Sequence, residues 1–140
     1  MMVRRIHLTP RYTSDDVDLP FKLPKLLQDE GVLYCFDNSG DMQEMGTRNL
    51  PFMVGTAVAY GLTYEQGVMG VTLNAAKILG IDDQVGSIEV GKDATLFVSN
   101  GDAFDMMTND VTHAWIQGRG VDLDNHQKEL YRKYKAKYAK

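Results

Sequence analysis

Apolar positions along the chain fall into two textures, with the change near Ile81. Val3 to Leu8 is a short apolar and β-branched run and predicts a strand. Thr9 to Leu19 carries Pro10, Ser14 and three aspartates and reads as a loop. Pro20 and Pro24 suit a helix entrance, where a missing N–H costs nothing. Leu23, Leu26 and Leu27 supply an apolar stripe, and Gly31 suits the stop. Val32-Leu33-Tyr34-Cys35-Phe36 is unbroken and apolar, the pattern of a strand buried on both faces, as parallel strands are. Residues 3 to 36 therefore spell strand, helix, strand, which favours a parallel pair with a right-handed crossover.

Asp37 to Arg48 is polar and reads as a loop leaving the second strand's C-terminal end. Asn49 suits an N-cap with Pro51 in the first turn, and a helix runs through Met53, Val54, Ala57, Val58 and Tyr60 to Gly61. Thr63-Tyr64-Glu65-Gln66 matches a capping box and opens another short helix. Thr72 to Leu79 predicts a third, closed by Gly80. Beyond Ile81, glycines punctuate short runs. Thr95 to Ser99 and Val111 to Gln117 are β-rich, with Asn100-Gly101 a turn signal, so a small sheet is expected. From about Asn125 the pattern is helical again, with Leu130, Tyr131, Tyr134 and Tyr138 near one face.

Composition narrows the function classes. The chain has 140 residues, 44% hydrophobic and 24% charged, enough for one modest core. A net charge of −4 argues against a nucleic-acid partner, which needs a basic face. The stretch from Lys128 to Lys140 is basic and reads as a solvated helix face. No run approaches the ~18 apolar residues of a membrane span. Met1 to Arg5 is basic but no apolar segment of signal-peptide type follows it. Cys35 is the single cysteine, so no intrachain disulfide forms, and a cytoplasmic location is expected. Inside an apolar strand, Cys35 reads as a small buried hydrophobe rather than a nucleophile. Trp115 and the Tyr131, Tyr134 and Tyr138 stripe read as core or interface packing, and Met42, Met45 and Met53 as packing.

Three ordered motifs carry a resemblance. Arg48-Asn49-Leu50-Pro51-Phe52 followed by Gly55-Thr56-Ala57-Val58-Ala59-Tyr60-Gly61-Leu62 is the first. Thr72-Leu73-Asn74-Ala75-Ala76-Lys77-Ile78-Leu79-Gly80 is the second. Gly86-Ser87-Ile88-Glu89-Val90-Gly91-Lys92-Asp93-Ala94-Thr95-Leu96 is the third, and Val111 to Val121 looks like a closing strand. Together they resemble the C-terminal segment of metal-dependent amidohydrolases of the imidazolonepropionase-related subgroup. The glycines of the third motif permit the positive-φ geometry a chain needs to turn back into a sheet. Glu89, Lys92 and Asp93 read as parts of that turn rather than as catalytic groups.

The resemblance implies an α/β fold: a partial (β/α)8-barrel segment, the last two strand–helix units, plus a small C-terminal β-sheet and a terminal helix. Residues 1–80 would be the barrel portion, 81–124 a small β-sandwich portion and 125–140 the C-terminal helix. Barrel chemistry sits at the strand C-termini. A divalent metal, zinc by expectation, belongs to the complete enzyme, held in part by an H-x-H pair on the first strand and histidines from strands five and six. Here the histidines are His7, His113 and His126, none closer than 13 residues to another, so zinc-like spacing is absent and the isolated chain is expected to hold no cofactor. The family's last catalytic element is an aspartate after strand eight that binds metal and takes a proton from water. Asp37 follows the strand directly and is the candidate for metal and catalysis, whereas matching on Ser39-Gly40-Asp41 puts Ser39 near that position and Asp41, a second catalytic candidate, beyond it. An ordinary polar loop opened by Asp37 or Asn38 is the competing reading. His7, near the end of the first strand, is the substrate-binding candidate.

Two functions follow. One is the C-terminal part of a hydrolase acting on non-peptide or cyclic C–N bonds, inactive as an isolated chain. The alternative is a non-catalytic assembly module derived from an amidohydrolase. Lone parallel strands expose edges that invite pairing, so the expected partners are a second copy or a chain supplying the rest of the barrel, with no nucleic acid and no membrane.

Overall fold

The structure is a computed structural model that describes residues 1–4, 12–38 and 43–139. The predicted strand–helix–strand unit is present. β1 (Met2–Arg4) and β2 (Cys35–Asp37) pair in parallel, Val3 opposite Phe36, with α1 (Leu19–Asp29) between them in sequence. The second strand is shifted relative to the apolar run. Val32 and Leu33 lie outside it and are exposed, because the described part of β1 offers partners only to Cys35, Phe36 and Asp37. Residues 5–8 of the predicted first strand lie outside the described residues.

α1 has Pro20 in its first turn and Pro24 buried inside it. Leu23 and Leu27 pack against the core, but Leu26 is exposed and the stripe is narrower than expected. The helix ends where Gly31 predicts. The Val32 amide donates to the Leu27 carbonyl and the Gly31 amide to Gln28, the paired bonds of a Schellman ending.

Gln43–Asn49 is a 3-10 helix where a loop was expected. It runs straight into α2 (Leu50–Ala59), and this corrects the Asn49 cap as well. Asn49 stays in helical geometry (φ −93°, ψ 0°), so its side chain is not set to accept a hydrogen bond from the turn ahead, and it makes no cap bond. The capping box at α3 (Tyr64–Val71) is as the sequence predicts: the Gln66 amide donates to Thr63 Oγ1 at 3.2 Å and the Thr63 amide to Gln66 Oε1 at 2.9 Å. α4 (Leu73–Leu79) follows and ends at Gly80 in the left-handed region.

The core lies where β1 and β2 meet the helices. Val3, Tyr34, Phe36, Met53, Val54, Ala57 and Leu62 form one buried cluster, flanked by Leu50, Val58 and Val71. Each Val, Leu, Phe or Met side chain of the cluster contributes about 1.5–3 kcal/mol on burial. Met53 joins the core while Met45 is exposed, and Met42 lies outside the described residues, so these methionines do not form one group.

The C-terminal region is a three-stranded antiparallel sheet, β3 (Leu96–Ser99), β4 (Val111–Ile116) and β5 (Arg119–Gly120), in that order. Val111 to Val121 is thus a hairpin rather than one closing strand. Gln117 and Gly118 both have positive φ, 50° and 75°, the signature of a type I′ turn. Gln117 tolerates that geometry because its amide donates to Thr95 Oγ1 and its side chain to Asp93, each at 3.1 Å. Gly86 and Gly91 both sit at φ 97°, as the third motif requires. The segment between β3 and β4 folds back onto the helices: Phe104 packs against the core and against Tyr64, whose hydroxyl donates to Asp102 at 2.9 Å.

α5 (His126–Tyr138) begins with Asn125 Oδ1 accepting from the Lys128 amide. None of its residues is buried, and Tyr131, Tyr134 and Tyr138 are all exposed. The tyrosine stripe is therefore not core packing within the described residues.

Candidate functional site

The position of Asp37 follows from strand alternation. A methyl group on Gly70 of α3 would lie 2.8 Å from the Phe36 ring and 3.8 Å from that of Tyr34, so both rings face the helices. They meet edge to face at 5.9 Å. Successive strand side chains point to opposite faces. Cys35 and Asp37 therefore project from the face away from α2 and α3. Asp37 is the last residue of β2, paired with Arg4 of β1, and is half-buried. A carboxylate at a strand's C-terminal end, on the face the helices do not cover, is where barrel chemistry is placed. Asn38 follows, beside Gly46 of the 3-10 helix.

Of the predicted site residues, the structure places only Asp37. His7, Ser39 and Asp41 lie outside the described residues. The other histidines are elsewhere: exposed His113 stacks on Trp115 of β4 at 5.8 Å between centroids, and His126 opens α5 with Glu129 at 3.6 Å. Among the described residues, no group of three or more His, Cys, Asp or Glu is arranged to hold a metal ion. One carboxylate does not make a metal site, which needs about four donors for zinc and more for harder cations. The described residues thus do not fit a resident metal.

Cys35, two residues before Asp37, is buried, and burial pushes its thiol up, against a smaller downward pull from the N-terminal ammonium and with a still smaller upward push from Asp37. Its burial suits packing. Tyr34 is the unexpected group. It is fully buried, its hydroxyl has no hydrogen-bond partner among the described residues, and burial pushes its pKa up to about 12. An apolar run gives no hint of an orphan hydroxyl, because Tyr reads as a strand former either way.

Ser87, Glu89 and Lys92 engage one another. Ser87 Oγ donates to Glu89 and accepts from Lys92 Nζ, each at 2.6 Å, and the Ser87 hydroxyl, followed by Lys92, holds the Glu89 carboxyl below its usual range. Their contacts close the turn. An open cleft of about 400 Å³ lies between Phe52, Thr56, Tyr64, Asp102 and Phe104. β1 and β2 contribute nothing to its lining, so it does not coincide with Asp37.

The chain is similar to known proteins. Residues 21–121 match the amidohydrolase family. The imidazolonepropionase of Shewanella frigidimarina is 63% identical over 35 residues, 25% of this chain and 8% of that protein. Adenine deaminase 1 of Latilactobacillus sakei is 31% identical over 96 residues, 68% of this chain and 15% of that protein. The crystal structure of an amidohydrolase from Thermotoga maritima superposes with a TM-score of 0.65 at 34% identity, covering 81% of this chain and 29% of that one. The chain thus spans less than a third of the length of the relatives it matches. With the match running from α1 through the β4–β5 hairpin, the chain belongs to the amidohydrolase family.

Proposed function

We propose that this chain is the C-terminal part of an amidohydrolase-type hydrolase acting on non-peptide or cyclic C–N bonds, and that it is inactive in isolation. The observation that carries the reading is Asp37, a half-buried carboxylate ending a parallel strand on the face turned from α2 and α3. β1 and β2 would be the last two barrel strands. Residues 1–80 would form the barrel portion, 81–124 the share of a small sandwich, and 125–140 a terminal helix. His7 would contact substrate, and Asp41 is the alternative to Asp37 should the register follow Ser39-Gly40-Asp41.

The family is metal-dependent, and the complete enzyme would bind a divalent ion, zinc by expectation. With one carboxylate among the described residues, the remaining donors must come from outside them. Asp37 would hold or take a proton at its carboxylate beside the reacting water. A buried thiol suits a reducing compartment, and no described helix is long and apolar enough to cross a membrane. A cytoplasmic location is part of the proposal, and the buried thiol supports it.

A second reading has its own support. β1 and β2 form a two-stranded parallel sheet among the described residues, with open edges. Such edges suit an assembly module without catalysis. Reconstitution separates the two. The chain is mixed with a polypeptide carrying the first six strand–helix units of a family member, and C–N hydrolysis is measured. Restored activity that falls at least about 100-fold with Asp37→Asn supports the enzymatic reading. Activity lost with Asp41→Asn but kept with Asp37→Asn moves the role to Asp41. Stable complex formation without hydrolysis favours the assembly module.

A further inference from the structure

Charge is segregated along this chain. Six of its 15 basic residues, but only one of its 19 acidic residues, lie between His126 and Lys140. The stretch carries a formal +5, while the preceding 125 residues, with 9 basic and 18 acidic, carry −9. The family match ends at residue 121, so the basic helix lies outside it.

The helix is held in place without being packed. Arg132 clamps Asp124 just ahead of it with two hydrogen bonds, one of 2.8 Å, and Asn125 caps it. No residue of α5 is buried. Tyr131, Tyr134 and Tyr138 recur at i, i+3 and i+7, the spacing of one face, and all three are exposed. Tyr134 and Tyr138 stack at 6.3 Å, and Lys135 and Lys137 lie over the Tyr131 and Tyr138 rings. Exposed tyrosine rings, rigid and amphipathic, are characteristic of protein contact surfaces.

We infer that α5 docks, through its tyrosine face and flanking lysines, on the acidic body of a second copy of this chain. Charge decides among the occupants. A phosphate polyanion, whether an anionic lipid surface or nucleic acid, attracts the tail but offers the net −9 body no positive counterpart, whereas in a reciprocal pair each body meets the other copy's tail. The body of a second copy carries the sign the tail complements. Reciprocal docking also closes the pair: each tail meets the other body, an isologous arrangement. Tyrosines rather than leucines suit a contact that remains partly wet. The inference does not depend on the hydrolase reading and fails separately from it.

The test is sedimentation equilibrium of the full chain from 50 to 500 mM NaCl. The expected result is a dimer whose dissociation constant rises at least about tenfold across that range. The triple variant K133E/K135E/K137E dissociates at least about tenfold more readily at low salt, as does Y131S/Y134S, which changes no charge. Because no residue of α5 is buried, both variants keep the wild-type melting curve at protein concentrations where wild type is monomeric. R48E/K77E/R119E changes net charge equally from outside the tail and keeps the dimer. A chain monomeric at every salt concentration overturns the inference, as does a dimer indifferent to both α5 variants. Monomers whose α5 binds phosphatidylserine vesicles or single-stranded RNA would overturn it in favour of a polyanion.

Discussion

The region around β2 and the region beyond Gly86 are held together by different forces. Around β2, packing dominates: Tyr34, Val54 and Ala57 are wholly shielded from solvent. Beyond Gly86, hydrogen bonds dominate. No described residue after Ala76 is buried, while Ile88, Val90, Phe97 and Ile116 stand open to water. Ladder bonds, the Ser87–Glu89–Lys92 network and the Gln117 anchors hold that region instead. The difference separates two meanings of a strong sequence motif. The helical motifs specify a core, whereas the glycine-rich one specifies a turn whose apolar side chains find no cover within the described residues. On the proposed function, that cover comes from the rest of an amidohydrolase.

Substitutions that differ in size of effect sharpen this contrast. Phe36→Ala removes a ring packed on Gly70 and opens a cavity in the core, with an expected loss of about 3–5 kcal/mol in denaturant unfolding. An intact midpoint would place the core elsewhere. Gly55→Val comes next. Even a methyl there would sit 2.3 Å from the Phe104 carbonyl oxygen, so α2 and the 102–106 segment must separate, at a cost of about 1–3 kcal/mol. If that variant matches wild type, the strap between the two regions does not hold as described.

Tyr34→Phe runs the other way. It deletes a buried hydroxyl without a partner among the described residues and should raise stability by about 1 kcal/mol. Its pH signature has a definite sign. The folded Tyr34 pKa of about 12 lies above the ordinary value of 10.0, so the folded state keeps its proton longer. Stability from this group is complete below pH 10 and falls as pH rises towards 12. Wild type should therefore lose more stability than Tyr34→Phe over that window in urea titrations, and parallel losses would place a partner on the hydroxyl.

Thr63→Ala removes one half of the reciprocal cap and should cost about 1 kcal/mol, measured by thermal melting. Ile88→Ser, although inside the glycine motif, should change stability by less than about 0.5 kcal/mol, because Ile88 is 90% exposed. A larger loss would show that the chain covers that residue in solution.

Much of this organisation was legible in the residues. The strand–helix–strand unit, the Thr63–Gln66 cap, the Gly31 and Gly80 helix ends and the two β-rich runs follow from local chemistry that tertiary packing did not override. The errors also have local causes. The run from Val32 to Phe36 is equally apolar throughout, so it cannot say that Cys35 and Phe36 are the ones that find a partner strand. Gln117 favours a strand by its neighbours, and only Asp93 and Thr95, more than 20 residues away, stabilise it in a turn. Asn49 is a good cap by type, but the preceding residues coil ahead of it. The tyrosines of α5 have core-like spacing, and spacing alone does not tell a core from a contact face. At the candidate site the sequence put Asp37 at a strand end, where the structure also has it, and alternation gave it its face. His7, Ser39 and Asp41 fall outside the described residues, so the choice between Asp37 and Asp41 rests on chemistry rather than on geometry.

The central proposal is that Asp37 serves as an amidohydrolase's strand-end carboxylate, while the described residues supply no metal-binding set. Metal content after incubation with zinc and exhaustive dialysis, measured by plasma mass spectrometry alongside C–N hydrolysis, tests it most directly. The account predicts no stoichiometric zinc and no turnover for the purified chain. One zinc ion retained per chain, with hydrolysis lost in Asp37→Asn, would contradict it.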